Sequence, residues 1–185
     1  MHNDEPNCYQ VHHNMKRCFL WVLFLALSLA SMPLHPAEGA RQLSFYHTHT
    51  AEELSVTYYE HGQYDPDALA KLNHLLRDFR TADAIEMDPA VFDILFDIQQ
   101  EAGSTGVYQV ISAYRSPATN EMLRGKSGGV AKNSQHLLGK AIDVRLTDVD
   151  TEKLRDVAHS LKRGGVGHYE KSDFVHVDTG RIRQW

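Results

Sequence analysis

Twelve consecutive residues without a charge or a proline, at positions 19–30, divide the chain into two parts of different character. Lys16 and Arg17 precede this run, and small residues follow it up to position 40. A basic start, a short apolar run and small residues near a cleavage point are typical of a secretory signal peptide. Because the run is shorter than the roughly 20 residues that span a bilayer, we expect a leader over residues 1–40 and one folded domain over residues 41–185.

The first 14 residues fit a signal peptide poorly, because they carry acids and histidines where the start should be short and basic. Translation from Met15 would give a better signal peptide, cleaved near Gly39 or Ala40. An uncleaved leader would instead serve as an N-terminal membrane anchor. After cleavage, we expect no stable membrane insertion.

Both cysteines, Cys8 and Cys18, lie in the predicted leader. The exported domain therefore cannot rely on disulfides, although its compartment permits them. It also lacks a cysteine nucleophile, and any metal must be held by His, Asp or Glu. The net charge of −5 argues against a nucleic-acid binder and against a polybasic membrane-surface protein.

Apolar periodicity and turn signals predict both strands and helices in the domain. Asp65-Pro66 and Asp88-Pro89 each place a capping aspartate before a proline, a typical helix start. The predicted strands occupy residues 43–50, 54–61, 107–115, 141–146 and 174–178. The predicted helices occupy residues 65–80, 88–102, 116–125 and 151–163. Because the strands come in groups without regular βαβ units, we predict a single α+β domain with a mainly antiparallel sheet and flanking helices.

Two strands carry a polar side chain opposite to their apolar residues. In the strand at 141–146, Asp143 faces away from its isoleucine, valine and leucine neighbours, and in the strand at 174–178 His176 faces away from two valines. If the two strands are neighbours, the carboxylate and the imidazole enter the same cleft.

A second histidine lies within reach of that cleft. His136 precedes Asp143 by seven residues, and Gly139 between them permits a tight turn that folds His136 back over the strand. Two histidines and an aspartate suit zinc, and catalytic zinc commonly has three protein ligands and a water. Asp173, three residues before His176, is placed to accept a proton from that water. The alternative, ordinary polar or capping residues without a metal, stays open at this point.

The run from Ser134 to Asp143 has the pattern SxHxxGxAxD, which resembles the motif of the LAS zinc peptidases, peptidase family M15. That family includes D-Ala-D-Ala carboxypeptidases, D,D-dipeptidases and murein endopeptidases. Further segments are similar, in particular, to its exported murein endopeptidase branch. They are residues 43–50, 112–117, 164–167 and 174–180, together with Trp185. The resemblance covers nearly all of residues 41–185.

The resemblance implies one zinc ion on His136, Asp143 and His176, in an LAS or hedgehog-peptidase type of fold. It also implies that Arg115 lies near the substrate carbonyl. Ser134 would either hydrogen-bond the substrate or hold the loop before the first histidine.

A carboxylate base shortly before the last histidine is implied as well. Asp173 has the spacing of the classical members, and Glu170 is a weaker candidate. Asp178 shares a strand face with His176, so it either serves as the base or orients that histidine. Some classical members place a second histidine near the base, and His168 is the residue that would have to supply it here.

The function implied by the resemblance is an exported, periplasmic zinc metallopeptidase that hydrolyses peptide crosslinks of peptidoglycan by a zinc-activated water. Peptidoglycan peptides would be its partners. Two alternatives remain from the sequence. The first is a D-Ala-D-Ala carboxypeptidase or dipeptidase acting on free or terminal peptides, and the second is a non-catalytic wall-binding domain, with zinc or without any metal.

The other histidines receive no functional role from the sequence. His47 and His49 share one predicted strand face, as a metal pair would, but we interpret them as surface residues. His61, His74 and His159 lie at a hairpin end or on helices.

Overall fold

The computed structural model describes residues 39–126 and 129–185. The predicted leader, including Met15 and both cysteines, lies outside the described residues except for positions 39 and 40. The strands are β1 Arg41–His47, β2 Glu53–Glu60, β3 Gln63–Tyr64, β4 Tyr108–Ser112, β5 Ala141–Leu146, β6 Gly165–Tyr169, β7 Phe174–Asp178 and β8 Arg183–Gln184. The α-helices are α1 Pro66–Leu75, α2 Pro89–Ala102, α3 Pro117–Lys126 and α4 Thr151–Leu161, and two 3₁₀ helices cover Gln135–Leu138 and Glu170–Ser172. No helix within the described ranges is long and apolar enough to cross a membrane.

All eight strands join one mixed sheet in the order β3-β2-β1-β4-β5-β7-β6-β8. The pairings of β1 with β4 and of β6 with β8 are parallel, and the remaining five are antiparallel. The prediction of an α+β domain with a mainly antiparallel sheet is therefore confirmed.

The two Asp-Pro signals begin helices as predicted. The side chain of Asp65 accepts hydrogen bonds from two backbone amides of α1, and Asp88 accepts one from α2. Helix α1 nevertheless ends at Leu75, five residues before the predicted end at Arg80. The Leu76 carbonyl accepts a hydrogen bond from Tyr114, so a distant partner replaces the continuing helix.

Strand β6 is not among the predicted strands, because two of its five residues are glycine, a residue that is depleted in strands. A Cβ atom at Gly165 would lie 2.6 Å from a carboxylate oxygen of Asp178, and one at Gly167 would lie 2.4 Å from the Trp185 ring. These glycines therefore serve close packing within the sheet rather than a turn. Strands β3 and β8 contain two residues each, which is too short for a periodic pattern.

The hydrophobic core lies on one face of the sheet. Helices α1, α2 and α4 pack near this face, contacting β2, β1 and the β5–β7–β6 region respectively. Alternate strand residues enter the core, including Phe45, Tyr108, Val144, Val175 and Val177. The opposite face of β5 and β7 is therefore left for the polar side chains.

A buried carboxylate joins α2 to the first three strands. Asp93 accepts hydrogen bonds from the hydroxyls of Tyr58 at 3.0 Å and Tyr64 at 2.6 Å. It also accepts one from the Arg41 guanidinium at 2.8 Å. Because Asp93 is only 7% exposed, its charge depends on these three donors.

We expect Asp93→Ala to lower the free energy of unfolding by about 2–3 kcal/mol, because the buried hydroxyl of Tyr58 loses its acceptor and Arg41 loses its hydrogen bond to this carboxylate. Urea denaturation measures this loss. Glu101→Ala removes an exposed carboxylate from the same helix and should change stability by less than about 0.5 kcal/mol. Equal stability of the two variants would show that the Asp93 cluster is not stabilising.

Candidate metal centre

Asp143 and His176 lie directly opposite each other on the neighbouring strands β5 and β7. Both side chains leave the face of the sheet that does not form the core, and each is only 6% exposed. The Nδ1 atom of His176 is 2.8 Å from Oδ1 of Asp143. The prediction that the two strands are neighbours and direct both side chains into one cleft is confirmed.

His136 reaches the same point from the 3₁₀ helix that precedes β5. The hydroxyl oxygen of Ser134 caps this helix by accepting the His136 amide at 3.3 Å. Gly139 ends it in the left-handed conformation with φ of 65°, where a Cβ atom would lie 2.8 Å from the carbonyl oxygen of Glu86. The tight turn predicted at Gly139 is therefore present, and it returns His136 over the strand.

The three side chains bring their donor atoms together. Nε2 of His136 lies 3.2 Å from Nδ1 of His176 and 3.3 Å from Oδ1 of Asp143. Among the residues that the structure describes, this is the one group of His, Cys, Asp or Glu side chains close enough to share a metal ion. A set of two imidazoles and one carboxylate suits a divalent metal such as zinc.

In each histidine ring, one nitrogen points away from Asp143, and the hydrogen bond that it makes shows which nitrogen is free to bind a metal. Nδ1 of His136 is 2.6 Å from the carbonyl oxygen of Ala113, which can only accept, so this nitrogen carries the hydrogen. Nε2 of His176 is 2.8 Å from the carboxylate of Asp178 in the same way. Both inner nitrogens are then free to present lone pairs beside Asp143, and a cation between them would satisfy all three.

The carboxylates of this cluster and the imidazole of His176 shift one another's pKa. Burial alone would lower the pKa of His176, but the carboxylates of Asp143 and Asp178 outweigh it and raise that pKa to about 9. Burial alone would raise the pKa of Asp143, but His136 and His176 lower it well below its usual value. The cluster therefore favours a positive charge beside its carboxylates, which a bound metal ion would supply.

Asp178 is fully buried behind His176. Besides the imidazole, its carboxylate accepts two hydrogen bonds from the Arg183 guanidinium, at 3.0 and 2.6 Å, and two from the amides of Gly165 and Gly180. This placement matches the hypothesis that Asp178 orients His176. Sequence reasoning missed Arg183, since it lies outside the strand pattern that singled out Asp178.

Arg115 lies beside the three donors. Its guanidinium is 3.8 Å from Oδ2 of Asp143, and its backbone amide donates to the carbonyl of His136 at 3.2 Å. Burial lowers the pKa of this guanidinium, while the carboxylate of Asp143 opposes the shift. The Nε atom is buried and has no hydrogen-bond partner in the described part of the chain. Arg115 also lines the cavity over the three donors, where a ligand can contact it.

A cavity of about 430 Å³ opens over these groups. Arg115 and Ser134 line it together with the three donors, so the structure brings these five sequence-predicted residues to one place. One wall is aromatic, a feature that was not singled out as part of the site. It is formed by Tyr169, Phe174 and Trp185.

A family model described as "Peptidoglycan L,D-endopeptidase MepK", within peptidase family M15, matches residues 35–185. The chain belongs to this family. A "Probable peptidoglycan L,D-endopeptidase MepK" of Haemophilus influenzae is 40% identical over 176 residues, which cover 92% of this chain and 95% of that protein. The "Peptidoglycan L,D-endopeptidase MepK" of Escherichia coli is 41% identical over 145 residues, covering 78% and 80% respectively. No solved structure matches the chain.

Asp173, the base predicted from spacing, lies apart from the MepK-family centre. Its carboxylate is 65% exposed, and it accepts a hydrogen bond from Thr151 at 2.9 Å in a separate cavity near Arg145. A left-handed backbone at Asp173, with φ of 51°, ends the preceding 3₁₀ helix. This conformation directs the carboxylate away from the three donors, so Asp173 does not lie beside them as predicted. The spacing between Asp173 and His176 in the sequence does not reveal the local conformation.

The other acid–base candidates also lie outside the cavity. Glu170 is exposed on the 3₁₀ helix before Asp173, and His168 contacts Thr151 and Arg155 instead. Neither residue lines the cavity over the three donors.

The interpretation of His47 as a surface residue is wrong. Its side chain is fully buried at the end of β1, on the core side of the strand. His49 follows the strand, is exposed, and stacks on Phe79 with ring centroids 4.0 Å apart. Both rings therefore contribute to packing around Phe79 at the end of the strand.

Asp178→Asn keeps the size of the side chain but removes the charge that holds His176. We expect the affinity for Zn²⁺ to fall by roughly 10–100-fold, as for other partners of metal-bound histidines. Competition with a chelator measures the affinity, and circular dichroism verifies folding. Asp173→Asn, an exposed acid just before the same strand, is the control and should bind Zn²⁺ as tightly as the unchanged chain. Unaltered binding by a folded Asp178→Asn protein would contradict the assignment.

Proposed function

We propose that this chain is a peptidoglycan L,D-endopeptidase that uses one zinc ion held by His136, Asp143 and His176. The observation that carries the proposal is the convergence of three buried donor atoms beside Arg115, on the floor of an open cavity. Family membership and the names of the two relatives support the substrate class. The peptide bond that the enzyme cleaves would then join an L-configured carbon centre to a D-configured one within peptidoglycan.

The donor set fits the chemistry of peptide hydrolysis. Zinc, when bound, supplies a Lewis acid that polarises a carbonyl and lowers the pKa of its water. Two neutral imidazoles and one carboxylate leave the occupied site with a net positive charge. Together with Arg115, the site therefore attracts carbonyl and carboxylate oxygens of a substrate.

Arg115 would stabilise the oxygen that becomes negative during hydrolysis. A backbone hydrogen bond joins Arg115 to His136, and the guanidinium lies 3.8 Å from Oδ2 of Asp143, beside the three donors. A fixed donor that is already desolvated stabilises developing charge strongly. Ser134 contributes in both ways left open by the sequence, because its oxygen caps the helix of His136 and its hydroxyl hydrogen is available to a substrate.

We also propose that the protein acts in the periplasm, after export by the leader at residues 1–40. A peptidoglycan substrate lies outside the cytoplasm, and the basic and apolar pattern before residue 40 provides the means of export. The function therefore requires the compartment that the leader predicts.

Purified sacculi are the decisive substrate. We expect the unchanged chain to release peptides that mass spectrometry assigns to cleaved crosslinks, and a chelator should stop the release. His136→Ala should reduce turnover by about 10³-fold or more, because the metal's contribution of several kcal/mol is lost. His74→Ala, on the exposed face of α1, is the control and should retain activity.

Each other outcome identifies another function. Release of a terminal amino acid from a free pentapeptide, with no cleavage of sacculi, would indicate a carboxypeptidase. Binding of sacculi without any cleavage, in a protein that contains zinc, would indicate a wall-binding domain.

Arg115→Lys should keep zinc but lower turnover by about 10²-fold, because lysine lacks the fixed planar fork of donors. Turnover, zinc content and melting temperature are measured on the same sample. Arg124→Lys, on the exposed side of α3, is the matched control. A destabilised protein with normal turnover would show that Arg115 has a structural role only.

Asp173→Ala completes this series. We expect it to keep turnover within about threefold, the small effect of an exposed surface change, since its carboxylate lies outside the cavity. A large loss of turnover with zinc retained would restore Asp173 as the base.

A further inference from the structure

We propose that Tyr169 is a catalytic residue whose hydroxyl donates a hydrogen bond to the oxygen of the scissile carbonyl, and that Trp185 is the positioning residue that aims it. This inference rests on the proposed function, because it requires that a peptide carbonyl occupies the cavity over the three donors.

The sheet brings Tyr169 to the site. In the pairing of β6 with β7, Gly167 lies opposite His176 and Tyr169 lies opposite Phe174. Side chains two residues apart on a strand share a face, so Tyr169 projects from the same face as His176. Arg115 follows β4 on one side of β5 and β7, whereas Tyr169 ends β6 on their other side. The two donors therefore flank the centre within one cavity.

Hydrogen-bond chemistry fixes the direction in which the Tyr169 hydroxyl can act. The indole Nε1–H of Trp185 lies 3.1 Å from this oxygen, and an indole nitrogen only donates. The tyrosine oxygen is therefore the acceptor in that bond, and its own hydrogen needs a different partner. No acceptor for it exists in the parts of the chain that the structure describes, and the residue is 37% exposed in the cavity wall.

The tyrosine ring is held before any substrate arrives. Phe174 stacks on it with ring centroids 4.5 Å apart and an angle of 17° between the planes. Trp185 lies against Gly167, where any Cβ atom would collide with the indole, and its backbone pairs with β6. A donor fixed in advance needs little reorganisation when charge develops on a substrate oxygen.

The residues that line the cavity are consistent with a hydrogen-bond donor role for Tyr169. Asp143 carries the one side-chain carboxylate among the described lining residues, and it belongs to the metal donors. The other polar side chains of the lining are cationic or neutral, and they include Arg115, Ser134 and Tyr169. A lining without a further acidic side chain suits an oxygen that gains negative charge. Arg115 supplies the charge on one side, and the hydroxyl of Tyr169 supplies a neutral donor on the other.

The test measures kcat and KM on a soluble crosslinked peptide dimer released from sacculi, with the zinc-loaded full chain. Tyr169→Phe keeps the ring and its stacking but loses the hydroxyl. We expect kcat to fall by about 10²-fold with KM within about threefold, because the donor acts mainly on the transition state. Tyr46→Phe is the matched control, since Tyr46 lies on β1, outside the cavity, and its loss should leave both constants unchanged.

Trp185→Phe tests the positioning role, because it keeps an aromatic ring but removes the donor to Tyr169. We expect a smaller fall in kcat, and the double variant should be no slower than Tyr169→Phe alone, as coupled residues are not additive. The NMR signal of the Trp185 indole N–H provides a readout independent of activity. It should shift in Tyr169→Phe, where the hydrogen bond is lost, and stay in place in Tyr46→Phe.

Circular dichroism and zinc content establish that each variant is folded and loaded. A Tyr169→Phe protein with an unchanged kcat would overturn the inference, and so would a rise in KM alone, which would place the hydroxyl on a remote part of the substrate. If the unchanged chain does not cleave the dimer or sacculi, the proposed function itself fails, which is a separate result.

Discussion

The antiparallel pairing of β5 with β7 is the constraint on which the centre depends. It sets Asp143 opposite His176 on the face of the sheet that does not form the core, 2.8 Å apart between Oδ1 and Nδ1. His136 reaches the pair only because Gly139 adopts a left-handed turn at close approach to Glu86. A one-residue slip of either strand would turn its donor to the core side and separate it from the donor on the other strand.

Three ionisable side chains at this density are costly to bury unless each is partnered. The partners come from further out: the carbonyl of Ala113 for His136, and Asp178 for His176. Asp178 is in turn held by Arg183 and by two backbone amides. The β6–β7–β8 edge of the sheet therefore orients the metal donors from behind and, through Trp185, presents an aromatic wall in front of them.

A large part of the fold and of the metal centre could be predicted from the sequence, because it depends on short-range patterns. The two Asp-Pro helix starts, the alternation along β5 and β7, and the turn at Gly139 all depend on residues within a few positions of each other. Those patterns predicted the α+β class and selected His136, Asp143 and His176. The SxHxxGxAxD motif then indicated the family, which the match over residues 35–185 confirms.

Tertiary structure decided what depends on distant partners. Helix α1 ends early because Leu76 bonds to Tyr114, and β6 forms because its glycines accommodate Asp178 and Trp185. Asp173 has the spacing of a base, yet its left-handed backbone and its bond to Thr151 place it in another cavity. The bond between Trp185 and Tyr169 joins the last residue of β6 to a residue 16 positions further along the chain, just after β8. No periodic pattern encodes such contacts, because each exists only once the sheet order brings its two partners together.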